Sequence, residues 1–521
     1  MWAPAPTTRD LPCPARRSAG ELDRSSYRLT AEGDSAGGVT PSERYLAQLC
    51  KRSFLSLWSY PNLYTDRGRH SKAGSGKEFC DLMVLFGDHV VLFSDKCIGF
   101  SKTGKLDIDW PRWYKRAVIK SVHQLRGAEK WLREKHGGLF LDSRCSKAFP
   151  LHLPDPKTAK VHLVAVAVGA SRACASVMGG SGSIPIRPAT EGEAAHLNNP
   201  FIFGIFDRAK TFVHIFDEIA LDCVLRELDT VSDFTDYLDR RAEFLLSGRL
   251  GMAAGEEDLL GFYMQNTDGD WNHAFMVPPG GTAIIDEGIF AGFVLSPAYR
   301  TKKAADEISY TWDRLIELFA RPIANGTLQF GSQHGPGYGE QSARLLAAEP
   351  RLRRRMLSEA LIGKLDDVPL GKSSGRAVFS NTHPDIGYVF YVCSPQPSES
   401  YEDYRKRRAF LLNAHCMVLK KKWPAVKDVV GISMEPKGSK GGSEDLISLD
   451  VRTWTADQES EAGKYQMEFS IFKDENVKLT EDYYDEFPQS PPLAPIAKPD
   501  ISTLNRAARR AMKRKQRRGK K

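Results

Sequence analysis

Two apolar runs on either side of a short turn constrain the fold of this chain more than any other feature. Phe79 to Phe86 and Val90 to Cys97 flank Gly87-Asp88-His89, and apolar runs of this length around a turn predict a β-hairpin. Asp81 lies inside the first run, and Asp95-Lys96 lies near the end of the second. Because a buried charge is costly unless it is paired or bound to a metal, these residues require partners in the fold.

The neighbouring sequence predicts further helices and strands around the hairpin. Thr40-Pro41-Ser42-Glu43 has the spacing of a capping box with Pro at the first helical position, which predicts a helix to about Trp58. Apolar residues recur at helical spacing over Trp110 to Lys135. Leu139 to Asp142 and Val161 to Val168 have the composition of buried strands. This succession of helices and strands predicts an α/β fold.

The chain is long enough for more than one folded domain. Its 521 residues exceed what one hydrophobic core usually organises, and stretches rich in Gly, Ser and Pro mark candidate boundaries. The predicted organisation is a disordered leader at 1–39, a first domain at 40–178, a linker at 179–199, a mixed α+β domain at 200–489, and a Pro-rich, then basic, disordered tail at 490–521.

The acidic and basic residues of the hairpin are the types that phosphodiester hydrolysis requires. A divalent ion held by carboxylates polarises the phosphoryl oxygen and acidifies the attacking water, while a lysine orients that water or offsets developing charge. Asp81, a second carboxylate and Lys96 would supply these groups.

The order of the candidate residues resembles that of the PD-(D/E)XK, or restriction-endonuclease-like, nuclease superfamily. Glu43, Asp81, Ser94-Asp95-Lys96 and Gln124 follow one another as that pattern requires, and the resemblance covers roughly residues 41–170. It implies an N-terminal restriction-endonuclease-like sheet flanked by helices, followed by a second mixed α+β domain. It also implies Mg²⁺ or Mn²⁺ as cofactor, Asp81 as a metal ligand, and catalytic roles for Lys96, Gln124 and Glu43.

The motif departs from the superfamily at the position two before the lysine. That position has Asp or Glu, and sometimes Gln, in the superfamily and Ser94 here. In a regular strand Ser94 and Lys96 share a face and Asp95 points to the other. The second metal carboxylate is therefore Asp95, turned inward by a bulge, or Glu78, or Glu43. A degenerate, inactive site is the remaining alternative.

Each candidate residue also has an ordinary structural role open to it. Glu43 has the place of a capping-box carboxylate, and Glu78 precedes its strand as an exposed residue would. Asp95 and Lys96 would form a solvated ion pair at a strand end. Gln124 would be a buried amide bonded to the backbone.

Basic residues predict contacts with nucleic acid at two places. Without the ten Lys and Arg of residues 501–521, the net charge of +8 becomes −2, so such binding depends on local patches. The predicted phosphate contacts are Arg112, Lys115, Arg116 and Lys120 on the long helix and Arg509, Arg510, Lys513 and Arg514 in the tail.

These features favour a cytoplasmic protein with no membrane segment. The longest apolar runs are strand-sized, and the first residues contain Pro and Arg where a secretory signal is apolar. We therefore expect a metal-dependent nuclease, acting on DNA in preference to RNA, and similar in organisation to prokaryotic genome-defence effectors. The alternative is a catalytically inactive nucleic-acid-binding or adaptor protein with the same fold and basic tail. The oligomeric state is not predicted.

Overall fold

The computed structural model describes residues 38–488, except for 39, 68–73, 102, 135–136, 270–271, 325–335, 380–382, 440–442, 479, 481 and 483. The predicted leader, apart from Gly38, and the predicted tail with Arg509, Arg510, Lys513 and Arg514 lie outside the described residues. The described chain is a mixed α/β protein.

The helices are distributed along the whole described chain. They are α1 (Pro41–Phe54), α2 (Leu106–Tyr114), a π-helical segment (Lys115–Ile119), α3 (Lys120–Glu134), α4 (Ser171–Met178), α5 (Gly192–Asn198), α6 (Glu218–Glu227), α7 (Val231–Leu246), α8 (Glu256–Met264), α9 (Ile289–Leu295), α10 (Pro297–Asp306), α11 (Tyr310–Ala324), α12 (Pro336–Ala347), α13 (Arg351–Asp367), α14 (Tyr401–Lys422) and α15 (Ala456–Glu468).

The strands form three mixed sheets, with the strand orders β4-β1-β2-β3-β5-β8, β10-β9-β6-β7 and β11-β12-β13-β14. Their bounds are β1 (Ser59–Thr65), β2 (Lys77–Phe86), β3 (His89–Cys97), β4 (Leu139–Phe140), β5 (Lys160–Val168), β6 (Ile186–Glu191), β7 (Phe203–Ile205), β8 (Val213–Phe216), β9 (Leu250–Ala253), β10 (Ala283–Ile285), β11 (Ser374–Val378), β12 (Ile386–Val392), β13 (Asp428–Met434) and β14 (Glu444–Asp450).

The first sheet is built around the predicted hairpin. Strands β2 and β3 pair antiparallel in continuous register from Leu82 opposite Phe93 to Phe86 opposite His89. Strand β5 then pairs parallel with β3, and β8 pairs parallel with β5. Both faces of the sheet are covered, which explains why β2 and β3 are nearly continuous apolar runs instead of alternating ones.

Different helices cover the two faces of this sheet. On one face Leu82, Val84 and Phe93 pack in a core that also contains Leu46 of α1. On the other face Met83 and Leu92 pack with Val122 and Leu125 of α3. The predicted helix over Trp110 to Lys135 is continuous from α2 to α3, and the π-helical segment inserts a wider turn within it.

The structure differs from the predicted linker and domain boundary. Residues 186–198, inside the segment expected to be a linker, form β6 and α5. Strand β8, expected in the second domain, completes the first sheet beside β5. The glycines that suggested a linker occupy left-handed backbone at Gly179, Gly180 and Gly182, so they form a tight turn within the fold.

The described part of the chain contains no helix that is both long enough and apolar enough to cross a bilayer.

Candidate active site

The candidate site is centred on Asp81, a residue that is 2% exposed in the middle of the first sheet. Its Oδ2 accepts hydrogen bonds from the backbone N–H of Asp95 at 2.6 Å and from Lys96 Nζ at 3.0 Å. The buried carboxylate therefore has the charged partner that the sequence required. The structure places both residues of the predicted pair at one point of the hairpin.

Lys96 and Ser94 of β3 lie on the same face of the sheet as Asp81 of β2. Ser94 Oγ is 3.4 Å from Asp81 Oδ2. This distance is expected because Asp81 and Ser94 are the residues next to the paired Leu82 and Phe93 of the hairpin. The side chain of Lys96 remains 28% exposed, so its ammonium group contacts both solvent and the buried carboxylate.

Gln124 reaches the same cluster from α3. Its Nε2 donates to Asp81 Oδ1 at 3.2 Å, and its Oε1 accepts from Ser94 Oγ at 3.0 Å. The Gln124 amide is thus hydrogen-bonded to the side chains of Asp81 and Ser94. The sequence had also allowed a hydrogen bond from this amide to the backbone. It orients Ser94 and Asp81 towards each other.

A β-bulge brings Glu78 to the cluster. Leu63 of β1 pairs with Cys80, but the next residue, Tyr64, pairs with Glu78, so one residue of β2 is left out of the ladder. Bulges of this kind re-aim neighbouring side chains. Glu78 Oε1 lies 3.5 Å from Gln124 Nε2, and the Glu78 carboxyl group shares a hydrogen bond with Asp81.

The contact between the two carboxyl groups changes the pKa of each in opposite directions. The hydrogen bond shared with Asp81, together with burial, raises the pKa of Glu78 to about 7. Burial acts to raise the pKa of Asp81, but the bonds from Glu78, Lys96 and the Asp95 N–H lower it below its usual value. Near neutral pH the pair holds a proton that a bound cation would replace.

Asp95 points to the opposite face of the sheet, towards α1. Strand β3 pairs with β5 in continuous register from His89 to Cys97, so no bulge in β3 turns the side chain towards Asp81. Both of its carboxylate oxygens are buried without a partner at hydrogen-bond geometry. Burial raises the pKa of Asp95 to about 7, and the Ser42 hydroxyl opposes this rise. The side chain is thus separated from the Glu78 and Asp81 carboxylates.

Glu43 forms the predicted capping box of α1. Its N–H donates to Thr40 Oγ1 at 3.2 Å, and its Oε2 accepts from the Thr40 N–H at 3.1 Å. Its negative charge also contributes to the raised pKa values of Glu78 and Asp95. The N-terminus of α1 therefore lies near the site, although one carboxylate oxygen of Glu43 is engaged in the cap.

The basic residues predicted on the long helix are on its solvent side. Arg112, Lys115, Arg116 and Lys120 are all exposed, and Lys120 lies one turn before Gln124 on the same helix. A positive helix surface therefore adjoins the acidic cluster.

Neither Tyr64 nor Asp217 was predicted from the sequence as a site residue, and the two lie at different places in the first sheet. Tyr64, opposite Glu78 in the ladder, is partly buried beside the site. Asp217 lies directly after β8, at the opposite edge of the strand order from β1, and is 2% exposed; its carboxylate accepts hydrogen bonds from the N–H groups of Ile219 and Ala220 at the start of α6. The position of Asp217 immediately after the apolar run Val213–Phe216 was a signal for burial at the end of a strand.

The donor chemistry of the cluster fits a magnesium-like ion with few protein ligands. Mg²⁺ usually keeps several waters and binds one or two carboxylates, and Glu78 with Asp81 provides such a pair at the solvent boundary. Groups of three or more His, Cys, Asp or Glu arranged for a metal ion are absent from the described residues.

Comparisons with protein-family models, with curated proteins and with solved structures found no match to this chain.

Proposed function

We propose that this chain is a Mg²⁺- or Mn²⁺-dependent nuclease that hydrolyses phosphodiester bonds at the Asp81 cluster. The observation that carries the proposal is the convergence of Glu78, Asp81, Lys96 and Gln124 on one side of a buried hairpin. A purely structural ion pair would explain the contact between Lys96 and Asp81. It would not explain why a second carboxyl group, that of Glu78, also contacts Asp81.

Glu78 is the second metal carboxylate in this proposal, in place of the acid missing at Ser94. The bulge in β2 supports this choice because it directs Glu78 to Asp81 and Gln124, whereas Asp95 faces α1. Ser94 then serves the site as a hydrogen-bond partner of Gln124. We accordingly assign no metal-binding role to Asp95.

The chain's own groups would divide the work of hydrolysis. A cation bound by Glu78 and Asp81 would polarise the phosphoryl oxygen and acidify the attacking water. Lys96 Nζ, 3.0 Å from Asp81 and partly exposed, is placed to hold that water or to offset the negative charge that develops on the phosphate. Gln124 keeps the Asp81 side chain in position through Oδ1. We propose DNA as the substrate. A role in genome defence is proposed only by analogy with other proteins in which a nuclease domain is joined to a second domain.

The decisive experiment compares cleavage by the full chain and by matched carboxylate variants. Plasmid DNA, an oligonucleotide and RNA are incubated with wild type, Asp81→Asn, Glu78→Gln and Asp88→Asn in Mg²⁺, Mn²⁺ or EDTA. Asp88 is an exposed acid in the turn of the same hairpin and provides the control. Both site variants should lose cleavage while Asp88→Asn keeps it, because only the site variants remove a metal ligand.

Thermal melting with Mn²⁺ separates the proposal from a catalytically inactive binding protein. A cation that binds only the folded state raises the melting temperature, so Mn²⁺ should stabilise wild type and Asp88→Asn more than Asp81→Asn. Nucleic-acid binding without metal-dependent cleavage or metal stabilisation would favour the inactive alternative. Full cleavage by both site variants would contradict the site.

A further inference from the structure

A row of aromatic side chains extends from the candidate site across the edge of the first sheet. Tyr64 of β1 lies opposite Glu78 of β2, and Phe140 of β4 lies opposite Tyr64. Residues directly opposite each other in antiparallel strands project from the same face of the sheet. Glu78, Tyr64 and Phe140 therefore form one row that begins at Glu78, the proposed second metal ligand.

Both rings are only partly buried, so they can contact a ligand. Burial, followed by the charges of Glu78 and Glu43, raises the pKa of Tyr64, which places the phenol beside the acidic cluster. The ring of Phe140 lies over Gly138, where a Cβ atom would come within 2.8 Å of the ring. The glycine thus leaves room for the ring to lie against the backbone.

We infer that the site takes single-stranded nucleic acid, with unpaired bases stacking on Tyr64 and Phe140. This inference rests on the proposed function, because the acid pair marks where the scissile phosphate would lie. Aromatic side chains that hold single strands stack on the faces of successive bases, whatever their identity. In a duplex the faces of the bases are covered by neighbouring bases. The two aromatic rings could therefore not stack on the bases of a duplex.

Exposed cations next to the row suit a phosphate backbone. Lys77 lies opposite Thr65, one position beyond Tyr64 in the ladder. Arg144 and Lys147 belong to the loop after β4, where the Asp142 carboxylate accepts hydrogen bonds from both of their backbone N–H groups. All three basic side chains are exposed. They provide the sequence-independent charge that accompanies stacking in single-strand sites.

Fluorescence anisotropy in Ca²⁺ tests the inference without cleavage. The full chain carrying Asp81→Asn is titrated with labelled oligo-dT, with oligo-U and with a blunt DNA duplex of the same length. The single strands should bind more tightly than the duplex, and the ratio between oligo-dT and oligo-U then distinguishes DNA from RNA as the preferred source.

Ring substitutions connect this binding to the aromatic row. Tyr64→Leu and Phe140→Leu should each weaken single-strand binding about tenfold, with little effect on the duplex. Tyr64→Phe and Phe140→Tyr keep the rings and should bind normally, which distinguishes stacking from misfolding. Tyr401→Leu, at an exposed tyrosine of α14, is the matched control.

The outcomes separate this inference from the proposed function. Equal affinity for duplex and single strands, or normal single-strand binding by both leucine variants, would overturn the inference even if the wild type cleaves DNA. Ring-dependent single-strand binding by a chain that shows no metal-dependent cleavage would support the stacking row and overturn the nuclease proposal.

Discussion

Lys96 has two roles at the residue scale, because it neutralises Asp81 and faces the proposed phosphate position. Lys96→Met keeps most of the side-chain length and removes the charge. We expect cleavage to fall by at least about a hundredfold. In EDTA the melting temperature should also fall, because Asp81 loses the ammonium group 3.0 Å away.

Mn²⁺ should restore much of that stability, since a cation at Glu78 and Asp81 replaces the missing charge. Cleavage assays and melting curves in EDTA and Mn²⁺ measure both effects, with Lys160→Met, an exposed lysine of β5, as control. Normal cleavage by Lys96→Met would show that Lys96 pairs with Asp81 but has no role in the reaction.

The raised pKa of Asp95 leads us to predict how the stability of the protein depends on pH. Its pKa is raised from 3.8 to about 7 by burial, so between these values the folded chain holds a proton that the unfolded chain has lost. The free energy of unfolding should therefore decrease as pH rises from about 4 to about 7. The upper limit of this effect is on the order of 4 kcal/mol.

Asp95→Asn removes this titration and should be more stable than wild type at pH 8 in EDTA, with little difference at pH 4. Urea unfolding at several pH values measures the difference between the two proteins. Because Glu78 titrates in both proteins, the comparison isolates Asp95. If the free energy of unfolding of Asp95→Asn depends on pH in the same way as that of wild type, Asp95 is not protonated in the folded chain.

Glu43 can be assigned to the cap or to the reaction by two substitutions. In its capping role, Glu43→Gln should be nearly neutral, because Gln also occupies this position in capping boxes. Glu43→Ala should cost about 1 kcal/mol of stability. We expect this pattern from the two capping hydrogen bonds, with cleavage retained in the Gln variant. Loss of cleavage in both variants at unchanged stability would assign Glu43 to the reaction.

At the scale of elements, two irregularities position the site. The bulge between β1 and β2 brings Glu78 to Asp81. The π-helical segment widens the long helix just before α3, which carries Gln124. π-Helical turns inside α-helices are frequent at functional sites. Both irregularities preserve the predicted elements while changing where particular side chains point.

The exposed face of the long helix carries a prediction about salt dependence. Replacing Arg112, Lys115, Arg116 and Lys120 with Ala should weaken binding to DNA of any sequence. Each lost phosphate contact should reduce the slope of log affinity against log salt by about one. Anisotropy titrations at several salt concentrations measure the slope. Lys406→Ala, on the exposed side of α14, should leave it unchanged, and an unaltered slope in the quadruple variant would exclude this face as an interface.

At the scale of the whole molecule, the predicted first domain is not a separate packing unit. Val164 and Val166 of the first sheet share a core with Leu221 and Phe234 of α6 and α7. Ser53 Oγ in α1 also donates to the carbonyl oxygen of Leu225 at 2.9 Å. The predicted boundary therefore runs through shared packing.

A fragment of residues 40–178 should consequently fail to unfold cooperatively. It lacks β8, α6 and α7, so one edge of the sheet and one apolar face become exposed. Thermal melting by circular dichroism, with the full chain as reference, tests this expectation. A cooperative transition and metal-dependent cleavage by the fragment would restore the predicted boundary.

Local patterns of residues were sufficient to predict several elements of the fold. The hairpin, the cap of α1 and the apolar stripe of the long helix follow from neighbouring residues, because turn geometry, capping and periodicity act over a few positions. The same reasoning predicted that Asp81 needs a partner and that Asp95 faces away from Ser94; in the structure Lys96 pairs with Asp81, and Asp95 lies near Ser42 of α1.

Contacts between distant segments of the chain determine which side chains meet and where the sheet ends. The contact between Glu78 and Asp81 depends on a register shift against β1, and the sixth strand comes from a segment more than forty residues after β5. A one-residue change of register redirects a side chain to the other face, and apolar patterns do not encode which distant strand completes a sheet. Long-range pairing therefore controls both the second carboxylate of the candidate site and the extent of the core.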